Sequence, residues 1–481
     1  MAQSPTADGP GLRRGIPGLA AVLALLAVGV LAGLGRTLLI ARLHVPLDPN
    51  EGWNAYHAGA ALAGNPYPPP GSFLVNNYPP LSFYLIGIIG SWCGDNVVAG
   101  RLVSLGAFAT LCLFIAIALR RMNARWSAAL LAPLLLAAML LLASDYVGMD
   151  DPQLLGHALQ FSGLLLLLRR SPETARILGS AAFFVTGAFV KHNLLALPLA
   201  SLAWLMLVDR RNAVRFAAAL LALSLAGFVV TYVLLGVNLF GVLNSPRTFS
   251  AAQLASDFVD WLPMMAVPLG GLVWLLLRFG KDQAVWLVSL YALVSIATGT
   301  ILFGGAGVDV NAMFDADIAL SLCAGLAVSR SLDYRTPSSR TAAQLFSVLC
   351  IVPLAIAVLR SPDWRDRSFW LRPMEEETAT AGRDIVFLRT HWGPAMCEDL
   401  TFCYWAGKAA VVDVFNLTQE FETGARDAGP FLRLIQSHYF ASIELDETNP
   451  LPFPSKVEAT ILRNYRIDHR DDEGIFFIPR L

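Results

Sequence analysis

Leu47-Asp48-Pro49-Asn50-Glu51-Gly52-Trp53-Asn54-Ala55-Tyr56-His57, followed downstream by Asn77-Tyr78-Pro79-Pro80-Leu81, is the stretch on which the reading of this chain turns. It lies between two long apolar segments, carries no Lys or Arg, and gathers two acids, a histidine, a tryptophan, tyrosines and a run of prolines. A connection that only joined two membrane helices needs a handful of small polar residues. A loop of this length and chemistry marks a functional wall. The same residues also have a plain structural reading, because Asp48, Pro49 and Glu51 form a helix-starting signature, with proline at the first helical position and an acid at the third.

Outward from this loop the chain is apolar. It has 481 residues, 56% hydrophobic and 15% charged, with a mean hydropathy of +0.56. Soluble globular proteins carry about 25% charged residues. The shortfall, together with repeated apolar runs of about twenty residues, predicts a polytopic membrane protein. A net charge of −1 argues against a nucleic-acid binder. Six scattered cysteines do not make a disulfide scaffold. The first apolar segment follows Arg13 and Arg14 as a signal peptide would. It is too long for one, and no small-residue cleavage site follows, so it reads as a retained helix.

About eleven spans are expected: Ile16–Ile40, Val97–Leu119, Ser127–Ala143, Gln153–Leu168, Ile177–Val190, Leu194–Val208, Phe216–Leu235, Leu262–Leu277, Ala284–Phe303, Ile318–Val328 and Ala343–Leu359. The fifth and sixth are short, meet at Lys191-His192-Asn193, and could equally be one bent helix. Charge decides between these. Arg13/Arg14, Arg120/Arg121/Arg125, Arg169/Arg170/Arg176, Arg210/Arg211/Arg215, Arg278/Lys281 and Arg330/Arg335/Arg340 fall on one side, which the positive-inside rule makes cytoplasmic. The opposite connections hold Asp48, Glu51, Asp95, Asp145, Asp150, Asp151, Asp257, Asp260, Asp309, Asp315 and Asp317, with Arg247 the one basic residue of 237–261. This segregation requires an odd number of spans, with the amino terminus inside and the carboxyl terminus outside.

Two domains are expected. Residues 1–359 form the transmembrane domain, including the long periplasmic loop 44–96. Residues 360–481 form a small periplasmic α/β domain, with strands at Asp384–Leu388, Ala409–Val414, Ala441–Leu445 and Ile475–Ile478 and a helix at Phe431–Tyr439. No glycine-rich phosphate loop opens any helix there, which argues against nucleotide binding. Cys397 and Cys403 fall in this part. In an oxidising compartment their spacing permits a loop-closing bridge, while two buried free thiols remain the alternative.

Four groups of residues carry chemistry. A carboxylate at the membrane surface, Asp48 or Glu51, is placed to take a proton from a hydroxyl. A second acidic cluster, Asp150 and Asp151, faces the same compartment, and two such groups can share a divalent cation or divide base and binding roles. Lys191 sits between apolar runs, where a cation is costly. It either snorkels to the surface or binds a phosphate, and Arg101 has the same two readings. Tyr78-Pro79-Pro80-Leu81 opens an apolar helix too short to cross, which predicts a segment lying in the interface. Trp53 and Tyr56 suit either an interfacial belt or a sugar-stacking surface.

The order of these pieces resembles the GT-C superfamily of integral-membrane glycosyltransferases, especially bacterial relatives of protein mannosyltransferase and the lipid A aminoarabinose transferase. The resemblance rests on a first helix, an acidic outer loop, Leu62-Ala63-Gly64-Asn65-Pro66-Tyr67, Tyr78-Pro79-Pro80-Leu81, Arg101, Gly187-Ala188-Phe189-Val190-Lys191 and Gly307-Val308-Asp309-Val310-Asn311-Ala312-Met313-Phe314. It runs through about residue 330. Relatives often carry an adjacent Asp-Glu pair, whereas here Asn50 precedes Glu51, so the identity of the base stays open between Asp48 and Glu51.

The resemblance implies a GT-C-like α-helical fold and an inverting glycosyltransferase that moves a sugar from a polyprenyl-phosphate donor to an acceptor hydroxyl at the periplasmic face of the bacterial inner membrane. It implies a first-loop acid as base or metal ligand and a lysine near the donor phosphate. The expected set is then Asp48 and Glu51 as catalytic residues, and Lys191, Arg101, His192 and Tyr78 around the donor. Glu51 and Asp150 are the expected ligands of a divalent cation, Mg or Mn. The acceptor is a glycan, lipid or protein. The rival reading, a transporter or lipid-linked-sugar flippase, would call for inverted repeats and paired broken helices, and neither is visible in the sequence.

Overall fold

The computed structural model describes residues 17–142, 146–169, 173–360, 373–446 and 452–480. Arg13, Arg14, Asp145 and Arg170 lie outside them. Every expected span is a helix. In chain order these are α1 (Pro17–Ile40), then α4 (Asn96–Arg121) to α9 (Arg210–Leu235) after two helices described below. Between those lie α5 (Trp126–Leu142), α6 (Gln153–Leu167), α7 (Thr174–Val190) and α8 (Ala196–Val208). A short α10 (Leu239–Leu243) leads to α11 (Ala251–Phe279), α12 (Gln283–Phe303), α13 (Phe314–Asp333) and α14 (Pro337–Arg360). Among the described residues, seven helices are long and apolar enough to cross a membrane, and five more are shorter and apolar. The chain is a multi-pass membrane protein.

The fifth and sixth spans are separate helices. The chain leaves α7 at Lys191, whose extended backbone (φ −143°, ψ 111°) ends the helix before α8 begins. Lipid-facing and central helices differ as their composition requires. Leu25, Leu31, Leu234 and Leu277 are exposed apolar side chains on the outer helices. Helix α13 is buried on all sides along its membrane-crossing length and keeps its charged residues at its two ends, Asp315 and Asp317 at one and Arg330 and Asp333 at the other. At the basic end, Arg330 pairs with Asp282 at 2.7 Å and Arg125 with Asp333 at 2.9 Å.

The 44–96 connection is not an open loop. It folds into α2 (Pro49–Leu62) and α3 (Leu81–Cys93). Asp48 caps α2 by accepting from the Asn50 N–H, with Pro49 at the first helical position. Helix α3 is the short apolar segment expected after Pro79-Pro80.

The carboxyl-terminal part contains a four-stranded sheet of β1 (Ala395–Cys397), β2 (Ser442–Leu445), β3 (Tyr465–Asp471) and β4 (Gly474–Pro479), in the order β1-β2-β4-β3. Strands β1 and β2 are parallel and the other pairs antiparallel. Around it lie α15 (Pro373–Thr390), α16 (Leu400–Trp405), α17 (Val414–Glu422), α18 (Gly429–Gln436) and α19 (Ser455–Asn464). Cys397 and Cys403 are disulfide-bonded, joining the end of β1 to α16.

Two expected strands are not strands. Asp384–Leu388 belongs to α15, where buried Ala381, Ile385 and Leu388 recur at helical spacing. Ala409–Val414 makes a single bridge, Val412 with Phe73, because it pairs with the first outer connection instead of the sheet.

Candidate active site

Glu51 lies at the start of α2, fully buried, and faces Arg101 of α4, also fully buried. The guanidinium donates from Nε to Oε1 at 2.8 Å and from Nη2 to Oε2 at 2.5 Å. Its other N–H groups go to the carbonyls of Ile40, Leu43 and Val45, at 3.3, 2.9 and 2.6 Å. Glu51 accepts two further bonds, from the Leu47 N–H at 3.1 Å and the Asp150 N–H at 3.0 Å. A carboxylate offers about four lone-pair positions and a guanidinium five donors, and here all are committed. The pair joins the end of α1, the start of α2, α4 and the loop before α6. It leaves Glu51 no oxygen for a metal and Arg101 no N–H for a phosphate.

Asp150 sits behind this pair. Its carbonyl accepts from the Asn54 side chain at 2.7 Å. Its carboxyl is fully buried against Gly100, where any Cβ would collide with it. Neither carboxyl oxygen has a hydrogen-bond partner among the described residues. Burial, with Glu51 and Asp151 adding to it, pushes this group well above the usual carboxylate range, against a smaller opposing pull from Arg101.

Asp151 turns the other way and forms a triad with Lys191, buried like itself, and the half-buried Tyr78. Lys191 Nζ donates to Asp151 Oδ2 at 2.9 Å and to the Tyr78 hydroxyl at 2.8 Å, and lies 4.4 Å from the Tyr78 ring centre. Burial works against the ammonium, but Asp151 and Tyr78 outweigh it and hold its pKa above the ordinary value. The lysine is 3% exposed, so it does not snorkel. His192 meets the Tyr78 ring edge-on at 5.9 Å. Burial first, then Lys191 and Arg247, lowers the His192 pKa to about 4, which leaves it neutral at pH 7.

Asp48 is half-buried and, among the described residues, its side chain is hydrogen-bonded to Asn50 alone, by the backbone N–H at 2.8 Å and the side-chain amide at 2.6 Å. Burial, with Asp151 and Glu51 adding to it, raises its pKa to about 6 against the opposing Asn50 bonds. Tyr146 stands among Asp151, Asp309 and Asp48, and its hydroxyl donates to Asp309 Oδ2 at 3.0 Å.

The carboxyl-terminal part roofs this arrangement. Trp53 Nε1 donates to Asp413 Oδ2 and to the Val75 carbonyl, both at 3.0 Å. The Gly52 N–H donates to Thr401 Oγ1 at 3.0 Å, and a side chain at Gly52 would collide with the Leu400–Thr401 backbone. Arg247 reaches across to Asn416 Oδ1 at 3.2 Å and lies 5.0 Å from the Phe415 ring. Beside the triad, a groove of about 520 Å³ runs between α3, α7 and α9, lined by Pro80, Tyr84, Phe189, Val230, Thr231 and Leu234. Phe189 faces Phe228 and Gly227 of α9 in this groove, while Lys191, two residues on, turns to Asp151 and Tyr78. Val230 and Leu234 are exposed on its apolar side.

The expected residues thus fall into two neighbouring groups. Asp151, Lys191 and Tyr78 are bonded together, with His192 against the Tyr78 ring and Asp48 within electrostatic reach of Asp151. Glu51 and Arg101 form a second group that Asp150 joins through its N–H. Arg247, Asp413, Asn416 and Thr401 were not expected. Arg247 had a signal, since it is the one basic residue in its acidic-side connection. Thr401 and Asp413 lie 349 and 360 residues from their partners Gly52 and Trp53, and Asn416 lies 169 residues from Arg247, so none of the three had one.

This arrangement of membrane helices, folded outer loop and terminal α/β part is the GT-C-like polytopic fold. It is similar to ArnT from Cupriavidus metallidurans bound to undecaprenyl phosphate, at 14% identity and a TM-score of 0.59, covering 96% of this chain and 98% of that one. It is also similar to the archaeal oligosaccharyltransferase AglB from Archaeoglobus fulgidus in complex with an inhibitory peptide and a dolichol-phosphate. There the identity is 12% and the TM-score 0.54, covering 89% of this chain and 69% of that one. No family model and no curated protein matches the sequence.

Proposed function

We propose that the chain is an inner-membrane glycosyltransferase that takes a sugar from a polyprenyl-phosphate donor at the periplasmic face, with the acidic connections and carboxyl-terminal part on that side. One observation carries the reading: α7 ends on a buried ammonium, Lys191, and the last turns of the same helix, through Phe189, line an apolar groove on which Val230 and Leu234 are exposed. That pairing suits a ligand with an anionic head and a hydrocarbon tail. The similar folds that hold undecaprenyl phosphate or dolichol-phosphate support it.

In the proposed mechanism the donor phosphate sits at Lys191 and Tyr78, with the lipid in the groove. Asp48 takes the proton of the acceptor hydroxyl, whose oxygen attacks the anomeric carbon from the face opposite the phosphate, inverting the configuration. The C–O bond to the phosphate breaks, and the Lys191 ammonium stabilises the departing charge. Glu51 and Arg101 are positioning residues that hold α1, α2 and α4 in place. The saturated Glu51 and the enclosed Asp150 do not suit a divalent cation such as Mg or Mn. Among the described residues, Asp48, Asp151 and Asp309 do not bring three ligand atoms together, so the positive charge toward the phosphate is assigned to Lys191.

The test is transfer from radiolabelled polyprenyl-phosphate sugars by the purified full-length protein, with a panel of lipid, glycan and peptide acceptors. Transfer abolished in Asp48→Asn with donor binding retained supports the reading. Donor translocation across proteoliposomes without any transfer would replace it with a flippase.

A further inference from the structure

Outside the membrane face, one cluster of side chains has the donor set of a metal centre and no part in the transfer reaction. Asp384 on α15 and His469 and Asp471 on β3 each bring a ligand atom to within 4.8 Å of the others. Local structure explains their convergence. His469 and Asp471 are two residues apart on a strand and so project from one face. The β3–β4 register slips between Ile467 and His469, and such a bulge re-aims the side chain that follows it. The His469 ring lies flat on Phe476, with centres 4.4 Å apart and planes 6° from parallel, which fixes its direction.

The hydrogen bonding points to a ligand. His469 Nε2 is 3.2 Å from Asp384 Oδ1, and Nδ1 is 3.1 Å from Asp468 Oδ2. Asp384 is 1% exposed, and its Oδ2 has no hydrogen-bond partner among the described residues. A buried carboxylate oxygen with nothing to accept from is costly, and a cation removes that cost.

We infer that Asp384, His469 and Asp471 form a binding site for a divalent cation of the zinc class, with the remaining coordination position open to water. One imidazole and two carboxylates suit zinc, and three protein ligands leave an open fourth position. Zinc bonds of about 2.0–2.2 Å place tetrahedral ligand atoms roughly 3.4 Å apart, so side-chain rotation has to close the cluster by about an ångström. Asp468 takes the role of the outer carboxylate that accepts from the other ring N–H and sets the tautomer. The cation would clasp α15, the next described helix after α14, to β3, which lies at the edge of the sheet beside β4.

The experiment uses tag-free full-length protein in detergent, stripped with chelator and titrated with Zn²⁺ by calorimetry, with bound metal counted by mass spectrometry. The double variant His469→Gln, Asp471→Asn should lose the tight equivalent, with affinity reduced by at least tenfold. Asp468→Asn should weaken binding by about tenfold through the ring tautomer. Zn²⁺ binding should also raise the unfolding temperature of the wild type but not of the double variant. Asp48→Asn should take up zinc as the wild type does, which separates this site from the transfer site. The inference is overturned if the wild type takes up no zinc at micromolar concentrations. It is equally overturned if the double variant, shown to be folded by its unchanged metal-free unfolding temperature, binds like the wild type.

Discussion

Replacing Lys191 tests the donor site, but the structure shows that the simplest substitution is confounded. The ammonium is bonded to Asp151 at 2.9 Å, and both residues are buried. Removing one partner of a buried ion pair strands the other and costs about 3–5 kcal/mol. Lys191→Ala should therefore lower the unfolding temperature as well as donor affinity. The informative variant is Lys191→Met with Asp151→Asn, which removes both charges and keeps the volume, so its stability should stay close to wild type. Loss of the charge-assisted bond to phosphate costs about 1.5–3 kcal/mol, which is roughly 10- to 150-fold in affinity. Undecaprenyl phosphate and neutral undecaprenol, titrated side by side by native mass spectrometry, separate head from tail. The preference for the phosphate should collapse in the double variant while undecaprenol binding stays. Asp151→Asn alone should bind the phosphate more tightly, because its lysine is released. A double variant that keeps the wild-type preference for phosphate would refute the assignment of Lys191.

Asp48 must be ionised to accept a proton, so transfer should fall as pH drops through about 6, and Asp48→Asn should lose at least about 100-fold in kcat. Its folded pKa lies above the unfolded value of 3.8, so the folded state binds the extra proton. Its contribution to stability is therefore fully present below about pH 4 and is lost as pH rises through 6. Asp48→Asn should accordingly raise the unfolding temperature above pH 6, readable by thermal melts across pH. Glu51→Gln leaves Arg101 buried without its anion, so it should destabilise by about 3–5 kcal/mol, and added Mg²⁺ or Mn²⁺ should not restore it. Cys397→Ser with Cys403→Ser opens a loop closed over a separation of six residues and should cost about 2 kcal/mol in denaturant unfolding, with the carboxyl-terminal part affected first.

The membrane spans were legible because a bilayer imposes length and charge segregation, two constraints written directly into sequence. That Lys191 ends one helix before the next begins followed from the same charge count. The acids of the site were legible as a set but their roles were not. Glu51 and Arg101 read as two separate functional candidates, and only their juxtaposition shows a saturated pair. The carboxyl-terminal part was the hardest to read. Runs of five or six residues are too short to separate a period of 2 from one of 3.6, which is why Asp384–Leu388 reads as a strand in sequence and folds as a helix. Strand β3, Tyr-Arg-Ile-Asp-His-Arg-Asp, is a polar edge with little apolar alternation to announce it.

The contact of Gly52 with Thr401 spans 349 residues, and this has a consequence for biogenesis. At roughly 5–20 residues per second, helix α2 is made ~20–70 s before the segment that covers it. During that interval the faces of Gly52, Trp53 and Tyr56 lack their contacts with Thr401, Asp413 and Lys408. The proposed reaction would therefore wait until the last sixth of the polypeptide has folded over α2, and a ribosome stalled late in the message would leave an inserted but uncovered protein.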